Sequence, residues 1–166
     1  MDNDRLELEQ DPTFQKREWR LQRVAWVAWA GLLIAGLAGL VGSGPLSRQE
    51  ISSSDGRLTV TFNRFVHYHH STALEVVMQP ENETDDQLRL QISRSLLDRV
   101  EIQRIEPEPT SRELASDGTW YIFRCAPGVP SAKVLFHVEY EEMGRGVGEL
   151  QFAGSEPVVL KHFVYP

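Results

Sequence analysis

Residues Val24 to Val41 read VAWVAWAGLLIAGLAGLV, eighteen residues without a charge, and no other feature restricts this chain as much. Extended to Leu46, the uncharged stretch is twenty-three residues long. At about 1.5 Å per helical residue that is roughly 27 to 35 Å, the thickness of a bilayer's hydrocarbon core. Trp26 and Trp29 lie near its start, where amphipathic rings favour the membrane interface. The expectation is a single membrane-spanning helix over about 24–46.

The flanks give that helix a direction. Lys16, Arg17, Arg20 and Arg23 precede it, whereas Arg48 is the only nearby cation after it. Cations are retained on the cytoplasmic side, so the N-terminus is expected in the cytoplasm and the rest outside it. A cleaved signal sequence ending near Val41-Gly-Ser43 is the competing reading. The long acidic segment before it and the excess apolar length disfavour that. Asp11 followed by Pro12 reads as an N-cap and first helical residue, so a juxtamembrane and transmembrane helix is expected over 12–46, after a disordered tail at 1–11. Gly31, Ala35 and Gly39 recur every fourth residue and form one narrow helix face where a second helix could approach.

Beyond the span, hydrophobic residues alternate with polar ones. Leu58, Val60 and Phe62 set the period, and Leu74, Val76 and Met78 repeat it. So do Leu88, Leu90 and Ile92, and then Val134, Phe136, Val138 and Tyr140. Period two is the signature of half-buried strands. About eight strands are expected over 57–166, after a linker at 47–56. The fold class expected is an all-β domain, an antiparallel β-sandwich of immunoglobulin-like type, with a small β-barrel second. Trp120 to Cys125 reads as an interior strand, with Trp120 as a core anchor and Cys125 facing with Tyr121 and Phe123 as a small buried hydrophobe. Gly144-Arg-Gly-Val-Gly148 lacks the lysine and helix of a phosphate loop and reads as a hairpin turn.

Charge excludes some functions. Residues 47–166 hold twelve Lys/Arg and eighteen Asp/Glu, a net −6. An acidic domain repels phosphate backbones, so no nucleic-acid partner is expected. It also argues against the domain lying flat on anionic lipid. The lone Cys125 rules out an internal disulfide framework, which points to a bacterial envelope protein or an intracellular one.

Few residues suggest chemistry. His67, His69 and His70 form H-Y-H-H at the end of a strand. Spacing i, i+2 would put His67 and His69 on one face, where imidazoles could hold copper or zinc, with His137 or His162 as a further ligand. Glu81, Glu83, Asp85 and Asp86 crowd one loop without the spacing of a calcium site, and Asn82-Glu-Thr84 is a glycosylation sequon. A hydrolase would need Asp98, Glu139 or His137 to converge. No nucleophile spacing is present, so no enzyme activity and no cofactor is expected.

The resulting expectation is a single-pass protein of the bacterial inner (plasma) membrane with a periplasmic or extracellular domain. It acts as an interaction protein, an accessory or assembly subunit of a membrane complex. Its partners are the lipid bilayer and a protein, or a second copy, met through the helix and the β domain. The alternative is a tethered metal-binding or metal-delivery protein using His67, His69 and His70.

Overall fold

The computed structural model describes residues 12–37, 47–80, 87–125 and 130–166. Helix α1 spans Pro12–Leu37, starting at the proline that fixes the first helical φ. Among the described residues no helix is long and apolar enough to cross a membrane. The expected span runs on past Leu37 into residues 38–46, outside the described residues, as does Gly39. The tail 1–11 and the acidic loop with its sequon at 82–84 also lie outside them.

The remainder is mostly strand. In chain order come β1 (Arg48–Ser52), β2 (Leu58–Asn63), β3 (Phe65–His67), β4 (Ser71–Met78) and β5 (Gln87–Ser93). A short helix α2 (Arg94–Leu97) follows, then β6 (Val100–Glu106), β7 (Ser111–Leu114) and β8 (Gly118–Arg124). The last three are β9 (Ala132–Tyr140), β10 (Gly144–Phe152) and β11 (Val158–Tyr165). One sheet has the order β1-β2-β4-β9-β6 and the other β3-β11-β10-β5-β8-β7. Two separate sheets make a β-sandwich and not a closed barrel. All pairings are antiparallel except β3 with β11.

The alternation translates directly into burial. Leu58, Val60, Phe62, Leu74, Val76 and Met78 are buried from one sheet, and Leu88, Leu90 and Ile92 from the other. Phe136 of β9 is fully buried and meets Tyr121 and Phe123 of β8 edge-on, at centroid distances of 5.6 and 6.3 Å. This aromatic cluster joins the two sheets, since offset and edge-on rings attract beyond their buried area. Cys125 is buried in the same core, as the alternation implied. At one end of the sandwich Asp55 accepts hydrogen bonds from the hydroxyls of Ser53 (2.5 Å) and Ser155 (2.9 Å), tying the β1–β2 turn to the β10–β11 turn.

Four expectations are corrected. The described residues form eleven strands, not about eight, because short edge strands such as β3 and β7 show too few alternations to be read. The stretch 47–56 is not a linker: Arg48–Ser52 pairs with β2 from Asn63 to Thr59. Its burial pattern is weak because it lies at a sheet edge. Trp120 is no core anchor. It lies on the outer face, half-buried, with the Arg89 guanidinium 5.6 Å from its ring. And Gly144–Gly148 is no turn but the first half of β10. The glycines face inward because space there is already taken. A Cβ on Gly146 would lie 2.0 Å from His162 Nε2, and one on Gly148 would lie 2.7 Å from Leu96 of α2. Missing side chains, not backbone freedom, explain these two glycines.

Candidate functional site

The histidine segment follows β3, the parallel edge strand of the six-stranded sheet. β3 ends at His67, and the chain then turns through Tyr68 and His69 before β4 begins at Ser71. His69 has φ +56°, the left-handed region that side-chain-bearing residues rarely occupy. Backbone bonds hold this turn: Tyr68 N–H donates to Tyr165 O (2.8 Å) and His69 N–H to Tyr140 O (3.2 Å). Alternation therefore fails just where the metal reading relied on it. His67 Nδ1 lies 2.8 Å from the Tyr68 carbonyl, and its ring stands edge-on to Tyr165. His69 turns to Tyr68 and to the Glu139 carboxylate, 3.7 Å away. His70 lines a neighbouring cleft.

His137 and His162 do not complete a ligand set. His137 lies on β9, 4.0 Å from the Glu106 carboxylate. His162 is in the interior, 4% exposed, against the Tyr140 ring at 4.7 Å. Among the described residues no group of three or more His, Cys, Asp or Glu is placed to hold a metal ion. The hydrolase residues stay apart too. His137 and Glu139 share one face of β9 but have different partners, Glu139 taking Gln103 and His69. Asp98 caps α2, its N–H donating to Arg94 O.

What the histidine region does have is shape. A cleft of about 590 Å³ opens where the β3 edge meets β4, lined by Asn63, Phe65, His67, His70, Thr72 and Tyr165 among others. Asn63 Nδ2 donates to Thr72 Oγ1 at 3.1 Å across its floor. The lining mixes rings and hydrogen-bonding groups.

His162 was legible only as a possible ligand. In the fold neither ring nitrogen has a hydrogen-bond partner. Burial, helped by the nearby Arg99 cation, lowers its pKa to about 4, so the ring is neutral. Beside it, burial pushes the Tyr140 phenol up to about 12. The alternation of Val158, Leu160, His162 and Val164 sets this ring on the inward face of β11; its position opposite Gly146 on β10 appears only in the fold.

No protein-family model matches the chain, and neither does any curated protein.

Proposed function

We propose that this chain is a membrane-anchored interaction protein: an immunoglobulin-like β-sandwich held at the surface of the bacterial inner membrane, on the periplasmic side, as an accessory or assembly subunit of a membrane complex. It performs no chemistry of its own. The observation that carries the reading is the surface of α1. Val24, Trp26, Val27, Trp29, Leu32, Leu33, Ile34 and Leu37 are between 60% and 85% exposed, on every side of the helix. A helix apolar all round is not stable in water and calls for lipid or a partner helix. The uncharged run continues in the sequence through Val41, and four cations precede it. Gly31 has open space around its Cβ direction, as a close helix–helix contact through Gly31 and Ala35 would need.

The β-sandwich supports the same reading through its cleft beside His67, which can receive an extended segment of a partner. The test is purification of the full chain from native membranes in mild detergent, with its mass measured by light scattering. A stable complex or homo-oligomer that dissociates in a Gly31→Leu, Ala35→Leu variant is the expected result. A monodisperse monomer without a co-purifying protein, or release of the chain from membranes by carbonate, overturns the reading.

A further inference from the structure

The outer face of the six-stranded sheet carries a patch that neither the histidines nor α1 accounts for. β10 and β11 pair Arg145 with Phe163 and Val147 with Lys161, and β3 pairs Phe65 with Phe163. Gly146 and His162 face the interior, so these five side chains face out. Arg64 adjoins them, its guanidinium 5.6 Å from the Phe65 ring. A shallow hollow of about 480 Å³ lies among these groups. Phe163 and Val147 are 41% and 50% exposed.

The patch carries cations as well as apolar groups. Arg48, Arg89, Arg99, Arg104 and Lys133 each have a carboxylate partner. Among the described residues Arg64, Arg145 and Lys161 have none, as is also true of Arg94, Arg112 and Arg124, and Glu149 lies further along the same face of β10. A domain of net charge −6 thus sets three cations without a carboxylate partner around the exposed Phe163 ring, the half-buried Phe65 ring and an exposed valine.

The patch is also where the chain enters the domain. Ser47 is fully buried, and its hydroxyl both donates to Phe65 O (3.0 Å) and accepts from Phe65 N–H (3.1 Å). Its carbonyl accepts the Arg64 N–H at 2.7 Å. Residues 38–46 separate Ser47 from the end of α1, and the ten steps from Leu37 to Ser47 reach at most about 35 Å. The entry point, and the patch beside it, cannot stray far from whatever α1 enters.

We propose that this face docks on the anionic headgroup layer of the bilayer that holds α1. Arg64, Arg145 and Lys161 meet lipid phosphates, while Phe65, Phe163 and Val147 settle at the headgroup–acyl boundary. The proposal rests on the membrane reading of α1. Each cation near an anionic surface multiplies occupancy roughly fivefold, so three give about a hundredfold preference for anionic over neutral lipid.

Spin labels on the full chain test both levels, in a Cys125→Ala background. One replaces Ile34 in α1, one Val159 on the outer face of β11 beside Lys161, and one Leu114 on the distant edge strand β7. Depth is measured by collision with oxygen and with an aqueous nickel chelate. The vesicles are phosphatidylcholine alone, or phosphatidylcholine mixed with phosphatidylglycerol. The expected result is Ile34 at acyl depth in both, Leu114 aqueous in both, and Val159 at headgroup depth only with phosphatidylglycerol. Added salt, or the variant Arg64→Gln, Arg145→Gln, Lys161→Gln, should return Val159 to water, with an unchanged Leu114 line shape reporting an intact fold. If Ile34 is buried and Val159 stays aqueous, docking is overturned while the anchor stands. If Ile34 is aqueous, the anchor falls and docking with it. Shielding of Val159 that follows protein-to-lipid ratio and not phosphatidylglycerol indicates a second copy on this face, and also overturns docking.

Discussion

His162 and Gly146 are matched by what each lacks: the histidine has no hydrogen-bond partner and the glycine no side chain to crowd it. Gly146→Ala should therefore cost about 1–3 kcal/mol by overpacking. The double variant with His162→Ala should recover part of that loss, which denaturant unfolding of both singles and the double will show. His162 also makes stability depend on pH. Its folded pKa is depressed to about 4 from an ordinary 6.5, so the unfolded chain takes up the proton first as pH falls. The stabilisation is complete above pH 6.5 and is lost progressively between 6.5 and 4, on the order of 3 kcal/mol in total. Tm measured across that range should fall for the natural chain and flatten in His162→Phe. The exposed histidines differ from it. Calorimetric titration with copper(II) or zinc should not distinguish the natural chain from one with His67, His69 and His70 all changed to alanine. His162 continues the inward alternation of Val158 and Leu160, which the exposed histidines do not. Alternation orients a side chain only while the strand lasts, and β3 stops at His67.

Among the elements, α1 carries the strongest forecast. Ile34→Arg puts a charge into the expected span at a cost of about 2.5–3.5 kcal/mol on insertion. Its expected outcome is a large loss of carbonate-resistant chain from the membrane fraction, with Leu114→Arg on the exposed β7 edge as a neutral control. The strands with three or more inward hydrophobics were legible from their letters: β2, β4, β5 and β9 all bury the residues the alternation named. β1 and the first half of β10 were not. β1 pairs on one side only, so burial imposes little pattern on it. In β10 the inward positions 146 and 148 are glycines, their space filled by His162 of the neighbouring strand β11 and by Leu96 of α2. A strand whose inner face is supplied by its neighbours carries no hydrophobic period of its own.

Across the whole molecule, the sandwich depends on contact between sheets. Phe136→Ala removes the ring that Tyr121 and Phe123 pack against, and should cost about 3–5 kcal/mol, enough to unfold a domain of ordinary stability. Circular dichroism and denaturant midpoints will measure it. The expectation that net charge keeps the domain off anionic lipid treats that charge as uniform. It is not: Arg64, Arg145 and Lys161 cluster at one end of the outer face of β10 and β11, with Glu149 further along it. An uncharged apolar run of helical length, and strands that alternate with period two, could be read from the letters because both follow from local backbone geometry. Which strands lie side by side could not be read. That arrangement gathers Arg64, Arg145, Lys161 and Phe163 on one face and sets Ser47 beside them. It depends on pairing between residues nearly a hundred positions apart, and only the packed sheets make that choice.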